Sequence, residues 1–265
     1  MQKKEYEKFI LPMKKEYEEP LGLHLEALGS RHPRGYWASD INFLHQQWAK
    51  KNGACFFNII NFLESVYLGD DKEIKACRKT LKRANKIVTS DLFLYTNLKQ
   101  NKASVYWSDF FVKLQDIWKD GTQKEKRIVM PLSLMFGKVQ HCAVACFNFK
   151  PQQDEVDIVF LEQHAQDKEK VDYDAEVDYA EGVRLHLKIW ADIMHRILRI
   201  SKVNTFTNTK PICRRRNVCG VVASELARRL LKSSNPMKWA KAGIRISYEK
   251  VDCLHAPNQK LEKSH

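Results

Sequence analysis

Three apolar segments in the middle of the chain place the strongest constraint on its fold. The segments 127–134, 139–148 and 156–162 are strand candidates, and the turn-rich segment 150–154 joins the last two. A long helical pattern follows at 179–200. Together these segments predict a sheet that contains a β-hairpin and has helices packed against it.

Further helices and strands surround this central region. Ser39 is a favourable N-cap, and the apolar residues after it repeat at helical spacing until Asn52 and Gly53 end the pattern. The segment 54–67 is either a buried strand that runs into a short helix or a helix throughout. Helices are also predicted at 71–88, at 106–118 and from Cys219 onward, and a fourth strand is predicted at 204–209. The fold class that follows is α+β, a small mixed sheet flanked by helices.

The length of the chain limits the number of domains, and the cysteine pattern indicates the cellular compartment. We divide the 265 residues into a helical extension at 1–35, one main domain at 36–250 with a helical insertion at about 65–120, and a polar tail at 251–265. No run approaches a membrane span, and the N-terminus lacks the apolar core of a secretory signal. The seven cysteines lack framework spacing, so we expect free thiols in the cytoplasm or nucleus, with export into a host cell left open.

The charge of the chain is strongly basic and unevenly distributed. A net charge of +13 favours acidic partners such as nucleic acid, inositol phosphate or an anionic membrane surface, although a solvated lysine-rich surface explains it equally well. Seven basic residues and one acidic residue lie at 72–86, whereas seven acidic and two basic residues lie at 167–181. Such opposed patches either orient a partner or mark two exposed faces.

A Cys-Gly pair, Cys219 and Gly220, stands at the start of the last long helical pattern. A helix N-terminus presents unpaired N–H groups and the positive end of the helix dipole, and both favour an anion. The thiolate is the nucleophilic form of cysteine. Cys219 is therefore a candidate nucleophile.

A histidine and a carboxylate precede Cys219 on the predicted hairpin. His141 lies on the second strand, on the same face as Ala143 by alternation, and Glu162 ends the third strand. Because the end of one hairpin strand lies beside the start of the other, we predict that His141 and Glu162 are neighbours. The carboxylate would fix the imidazole tautomer, and the imidazole would deprotonate Cys219. Taken singly, each residue also has an ordinary packing interpretation, and their joint placement favours the chemical one.

No metal site is expected on this hairpin. Cys142 and Cys146 share one face of the strand, whereas His141 points to the other, so the three side chains do not converge on one ion.

The order of these residues resembles the clan of ubiquitin-like-protein cysteine proteases, which includes SUMO proteases, bacterial effector deubiquitinases, adenovirus-type proteases and YopJ-type acetyltransferases. The segment 36–44 is similar to the tryptophan–aspartate helix start of SUMO proteases, and 54–58 resembles the apolar segment that follows it. The resemblance covers about 36–245 and implies a papain-like, ubiquitin-like-protease fold for the main domain.

The resemblance also implies roles for individual residues. Cys219 would be the nucleophile, His141 the general base and acid, and Glu162 the orienting carboxylate. Trp37 would match the tryptophan that helps to close the tunnel for the substrate's diglycine. The other predicted substrate-binding residues are Asp40 in the helix-start motif, Gln140 beside the histidine, and Arg214, Arg215 and Arg216 ahead of the nucleophile. The three arginines either lower the pKa of the Cys219 thiol, hold an acidic substrate, or form an exposed loop without a role in the site.

Two positions depart from the pattern of the family. Cys142 stands where SUMO proteases have a tryptophan, and Cys213 stands where the family favours a glutamine that donates to the oxyanion hole. A thiol is a poor donor. Gln140 or Asn208 are alternative donors, and the backbone N–H of Cys219 remains.

Three functions therefore remain open from the sequence. The first is a cofactor-free, monomeric cysteine peptidase or isopeptidase, in the setting of a secreted effector, that acts on ubiquitin or a ubiquitin-like protein. The second is a YopJ-type acetyltransferase that uses acetyl-CoA and inositol phosphate. Those proteins carry a long segment after the cysteine, whereas 46 residues follow Cys219, which favours the peptidase. The third is a basic nucleic-acid or scaffold-binding protein with a degenerate triad.

Overall fold

A computed structural model of the protein describes residues 38–51, 54–58, 68–72, 74–76, 79, 87–90, 93–97, 108, 111–112, 126–136, 139–164, 179–214 and 218–255. The strands are β1 (Cys55–Phe57), β2 (Ile87–Ser90), β3 (Phe93–Asn97), β4 (Lys126–Phe136), β5 (Val139–Lys150), β6 (Glu155–Glu162) and β7 (Lys202–Thr207). The helices are α1 (Ala38–Lys51), α2 (Tyr179–Asp192), which continues as a π-helical turn (Ile193–Ile197), α3 (Cys219–Lys232), α4 (Pro236–Lys241) and α5 (Tyr248–His255).

The seven strands form one mixed sheet. The strand order is β1-β2-β4-β5-β6-β7, and β3 pairs with the second half of β4 beyond the end of β2. The pairs β4–β5 and β5–β6 are antiparallel hairpins, whereas β7 runs parallel to β6. The fold is α+β with helices on both sides of a mixed sheet, as the sequence predicts.

Helices cover both faces of the sheet because the central strands are apolar on both faces. On one face, Val144 and Cys146 of β5 share a buried cluster with Leu226 of α3. On the other face, the Phe147 ring lies edge-on to Trp190 of α2, with a centroid distance of 5.2 Å. Alternation along β5 thus directs successive side chains to α3 and to α2.

A buried arginine fixes the C-terminal end of α3 to the sheet. The Arg127 guanidinium of β4 donates hydrogen bonds to the carbonyl oxygens of Leu230, Ser233 and Ser234 and to Asn148 Oδ1. These carbonyls lie at a helix C-terminus, where a cation is favourable. The contact orients α3, whose other end begins with Cys219, against the central strands.

Most predicted elements are confirmed. The strands predicted at 127–134, 139–148, 156–162 and 204–209 correspond to β4, β5, β6 and β7, with ends that differ by a few residues. Helix α1 ends at Lys51, just before the predicted stop, and the helix predicted at 179–200 is present through Ile197. In the segment 54–67, β1 matches the strand alternative, and 59–67 lies outside the described residues. Ser108, Phe111 and Val112, within the helix predicted at 106–118, are helical.

The helix predicted at 71–88 is wrong at its C-terminal end. Residues 71–72, 74–76 and 79 are helical, but Ile87 and Val88 belong to β2. Isoleucine, valine and threonine are β-branched and favour a strand, and a pairing partner on β4 outweighs the helical pattern of the preceding lysines. Because β3 follows, the insertion at about 65–120 is not purely helical, and the sheet is larger than predicted.

The tail predicted to begin at residue 251 is also wrong at its start. Helix α5 continues to His255, and Val251 is fully buried in the cluster beneath α3. The predicted extension at 1–35 and the remainder of the tail lie outside the described residues. Among the helices that the structure describes, none is both long and apolar enough to cross a membrane.

Candidate active site

The N-terminus of α3 presents backbone donors that no side chain of the cap occupies. The N-cap residue is Val218, which has no side-chain cap hydrogen bond, and the first turn contains no acidic residue. The first helical hydrogen bond runs from the Val222 N–H to the Val218 carbonyl, at 2.9 Å. The N–H groups of Cys219 and Gly220 thus precede the helical ladder and create a local preference for negative charge.

His141 and Glu162 meet at the end of the β5–β6 hairpin. His141 Nε2 lies 3.1 Å from Glu162 Oε2, and the residues are 3% and 2% exposed. The backbone N–H of His164 donates to the same carboxylate oxygen at 2.8 Å. Both donors reach Oε2, whereas Oε1 is buried without a hydrogen-bond partner among the described residues. The Nε2–H of His141 points at Glu162, which leaves Nδ1 as the basic nitrogen.

Cys219 is brought to the same place by α3. The residue is half-buried, and its side chain takes part in hydrogen bonds with the side chains of His141 and Cys142 and with the Cys142 backbone. The hydrogen bond with Cys142 and the hydrogen bond and charge of His141 hold the pKa of Cys219 well below its usual range, against the opposing effect of burial.

The histidine is correspondingly held in its protonated form. Burial disfavours the imidazolium, but the hydrogen bonds and charges of Cys219 and Glu162 outweigh it and raise the pKa of His141 to about 9. The lowered pKa of Cys219 and the raised pKa of His141 both favour a thiolate–imidazolium pair. This is the state of an activated cysteine nucleophile with its proton donor beside it.

Asn208, at the end of β7, holds the backbone of Glu162 in place. Its Oδ1 accepts from the Glu162 N–H at 3.0 Å, and its Nδ2 donates to the Glu162 carbonyl at 2.9 Å and to the Lys210 carbonyl at 3.1 Å. The Asn208 side chain thus forms the next pair of hydrogen bonds after the backbone pairing of β6 with β7 ends. Because both Nδ2 hydrogens are used, Asn208 is not available as the alternative oxyanion donor that the sequence suggests.

His164 covers one face of the His141 imidazole. Its ring is stacked on that of His141, with a centroid distance of 5.7 Å and an interplanar angle of 27°. Sequence analysis missed this residue, although its position two residues after Glu162 is a usable signal. A residue so close to a strand end remains beside that end when the chain turns.

The structure brings together the three residues that the sequence proposes as a triad, but it locates only part of the predicted substrate-binding set. Arg214 is exposed in the segment before α3. Asp40 lies in the first turn of α1, and Gln140 pairs with Met135 between β5 and β4. Trp37, Arg215 and Arg216 lie outside the described residues.

Cys213 does not face the site. It is 3% exposed and packs in the main cluster beneath α3, with its backbone N–H bonded to the Gln163 carbonyl at 3.3 Å. The residue therefore serves the core, and the N–H groups of Cys219 and Gly220 at the helix start remain candidate oxyanion donors.

No family model and no curated protein sequence matches the chain. Its fold is similar to solved structures of the Legionella pneumophila effector protein RavZ. One of them is 13% identical, with a TM-score of 0.44, over 77% of this chain and 57% of RavZ. Another, RavZ in complex with human LC3B, is 9% identical, with a TM-score of 0.38, over 65% of this chain and 46% of RavZ. The chain thus spans about half the length of the RavZ structures that it matches.

A solved de-sumoylating protease has a similar fold over a larger part of the chain. It is 14% identical, with a TM-score of 0.43, and the match covers 91% of this chain and 78% of the protease.

Proposed function

We propose that this chain is a cysteine peptidase or isopeptidase that cleaves the bond after the C-terminal glycine of ubiquitin or a ubiquitin-like modifier. Cys219 is the nucleophile, His141 the general base and acid, and Glu162 the carboxylate that orients the imidazole. The observation that carries the proposal is the placement of His141, which hydrogen-bonds Glu162 Oε2 at 3.1 Å and also Cys219. The order of the three residues along the chain supports the ubiquitin-like-protease class.

The first step is acyl transfer to sulfur. The Cys219 thiolate attacks the carbonyl carbon of the modifier's last glycine, and a C–S bond forms while the carbonyl becomes an oxyanion. As the intermediate collapses, the C–N bond breaks and the His141 imidazolium gives its proton to the departing lysine amine. Neutral His141 then takes a proton from water, which attacks the thioester and releases the modifier with a free carboxylate.

The start of α3 supplies stabilisation for the oxyanion. The Cys219 N–H precedes the first helical hydrogen bond and lies at the positive end of the helix dipole. A preorganised donor of this kind contributes about 3 kcal/mol to lowering the barrier. Val218, which has no acceptor in its side chain, does not compete for these donors.

The surroundings of Cys219 favour a slender substrate. The half-buried sulfur lies in a small cluster with Ile41 of α1, Cys142 of β5 and Ala223 of α3. We infer that a chain approaches Cys219 in an extended form, and glycine allows the closest backbone approach because it has no Cβ. A free C-terminal glycine tail on a globular modifier meets both requirements.

The proposed reaction uses no cofactor, and the modifier is the partner. Since the nucleophile must remain a thiol, we place the reaction in a reducing compartment such as the cytoplasm or nucleus, of the producing cell or of a host. The excess positive charge, part of it on the exposed Lys72, Lys75 and Lys79, is proposed to attract an acidic partner or an acidic face of the modified protein.

The test is hydrolysis of ubiquitin, SUMO, NEDD8 and LC3B that carry a fluorogenic amide on the C-terminal glycine. We expect turnover of at least one of them, and a loss of about a thousandfold or more in Cys219→Ala. Cys55→Ala is the matched control, because Cys55 is also half-buried but lies on β1 and burial raises its pKa.

Two outcomes would contradict the proposal. Acetyl transfer from acetyl-CoA to a protein, without hydrolysis of any modifier, assigns the same three residues to an acetyltransferase. Absence of both reactions, together with an unreactive Cys219, assigns the chain to the binding proteins.

A further inference from the structure

A second cysteine lies against the proposed nucleophile. Cys142, on β5, forms a small buried cluster with Ile41 and Ala223, and Cys219 packs against this cluster. The Cys142 side chain also hydrogen-bonds Cys219. The two side chains thus pack together although the residues stand 77 positions apart in the sequence.

Three further cysteines whose side chains the structure describes are differently placed. Cys146 and Cys213 are buried in the main cluster beneath α3, and Cys55 lies on β1. Burial raises the pKa of Cys146 to about 12, so this thiol is inert. Among the cysteines whose side chains the structure describes, Cys142 is therefore the one that packs against Cys219.

We propose that Cys142 is a resolving cysteine, and that peroxide converts Cys142 and Cys219 into a reversible disulfide that blocks the nucleophile. The proposal rests on the function assigned above only in that Cys219 is the reactive thiolate. The modification needs no substrate and no partner protein.

The oxidation proceeds in two balanced steps. The Cys219 thiolate attacks one oxygen of hydrogen peroxide and the O–O bond breaks. Hydroxide departs, and Cys219 becomes a sulfenic acid. The Cys142 sulfur then attacks the Cys219 sulfur, an S–S bond forms, and the S–O bond breaks. The hydroxyl group takes the proton of the Cys142 thiol and leaves as one water, and the hydroxide from the first step takes the proton that Cys219 gave to His141 and forms the second. Two thiols and one peroxide thus give one disulfide and two waters. A dithiol such as dithiothreitol reverses the change by thiol–disulfide exchange.

A thiol at the position of Cys142 would protect Cys219 from irreversible oxidation. A sulfenic acid that meets no thiol is oxidised further to sulfinic acid, which dithiothreitol does not reduce. A half-buried thiolate such as Cys219 is open to this loss, because susceptibility follows thiolate character and exposure. A thiol held beside the sulfur diverts the sulfenic acid into a recoverable state.

The experiment treats the full chain with a small excess of hydrogen peroxide, blocks the remaining thiols with N-ethylmaleimide and maps disulfides by mass spectrometry. We expect the tryptic peptide that begins at Val139 to be linked to the one that begins at Asn217. Since the first peptide contains two cysteines, Cys146→Ala identifies the bonded one. The link is expected to persist in Cys146→Ala and to disappear in Cys142→Ala.

A second measurement follows recovery of the Cys219 thiol by alkylation after dithiothreitol. We expect most of the Cys219 thiol to return in the unsubstituted chain and in Cys146→Ala, and at least fivefold less in Cys142→Ala. A link through Cys146, direct conversion of Cys219 to sulfinic acid in the unsubstituted chain, or equal recovery in Cys142→Ala would overturn the proposal.

The result is separable from the proposed peptidase activity. Disulfide formation without hydrolysis of any modifier would leave this inference standing and remove the peptidase. Hydrolysis without a Cys142–Cys219 disulfide would support the peptidase and remove the role of Cys142 as a resolving cysteine.

Discussion

Glu162 Oε2 lies 3.1 Å from His141 Nε2, although Glu162 is paired across the sheet with Ala143 and not with His141. The contact is diagonal: His141 lies two residues beyond Ala143 on the same strand face, and long side chains reach such neighbours. The first residues of β5 extend beyond the last residue of β6, Glu162, so the His141 imidazole contacts that terminal carboxylate and also reaches Cys219 at the start of α3. The hairpin thus supplies the histidine and the carboxylate, and α3 supplies the thiol.

Removal of the Glu162 charge is expected to weaken catalysis more than stability. In Glu162→Gln the imidazole loses the acceptor that fixes its tautomer, and we expect kcat/KM to fall by about a hundredfold or more. The loss of the carboxylate also removes a cause of the raised pKa of His141, so the basic limb of the pH profile should move below pH 9. Glu249→Gln, on the exposed surface of α5, is the control. An unchanged basic limb in Glu162→Gln would show that this carboxylate does not act on His141.

The rate of hydrolysis and the rate of Cys219 alkylation should depend on pH differently above pH 9. The pKa of Cys219 is lowered and that of His141 is raised to about 9, so the thiolate–imidazolium pair persists between the two values. Above pH 9, His141 loses the proton that the leaving amine needs, and kcat/KM should fall. Alkylation by iodoacetamide needs only the thiolate and should not fall. Parallel decline of both rates above pH 9 would contradict the assignment of His141 as the acid.

Asn208 is predicted to be a positioning residue. Asn208→Ala removes the partners of the Glu162 N–H and carbonyl, which is expected to cost about 1–3 kcal/mol of the free energy of unfolding. A displaced Glu162 should lower kcat/KM on the order of tenfold or more. Asn235→Ala is the matched control: it removes the N-cap of α4, costs about 1 kcal/mol and should leave kcat/KM unchanged. Equal kcat/KM in the two variants would limit Asn208 to a structural role.

Part of the acid sensitivity of the fold is expected to arise at Glu155. Hydrogen bonds from Lys150 and Lys202, at 2.6 Å each, lower the pKa of Glu155 from 4.5 to about 2. A carboxylate with a lowered folded-state pKa stabilises the fold above its unfolded pKa, and this stabilisation is lost as the pH falls from 4.5 towards 2. Urea midpoints of the unsubstituted chain and of Glu155→Gln should therefore differ by a constant amount above about pH 5 and converge below it. A difference that is independent of pH would contradict this account.

The sequence was most predictive where a short local pattern decides the structure. Alternation and the turn after Lys150 predict the β5–β6 hairpin, and with it the proximity of His141 and Glu162. The Cys-Gly pair predicts the start of α3. Strand β2 was not predicted, because four residues carry little periodicity and their pairing with β4 spans a long stretch of chain.

The contacts of Asn208 and Cys142 were beyond the reach of such patterns. Asn208 acts through the parallel pairing of β7 with β6, which no local pattern specifies. Alternation predicts that Cys142 points away from His141, yet both residues hydrogen-bond Cys219, so the start of α3 meets two successive residues of β5. Contacts between distant segments depend on how α3 packs on the sheet, and that packing involves the whole core.

The most direct test of the central claim is the intact mass of the protein after reaction with ubiquitin, SUMO, NEDD8 and LC3B that carry an electrophile at the C-terminal glycine. We predict a single covalent adduct with at least one of these probes, located on the tryptic peptide that begins at Asn217, present in Cys55→Ala and absent in Cys219→Ala. No adduct with any probe, or an adduct on a cysteine other than Cys219, would contradict the account.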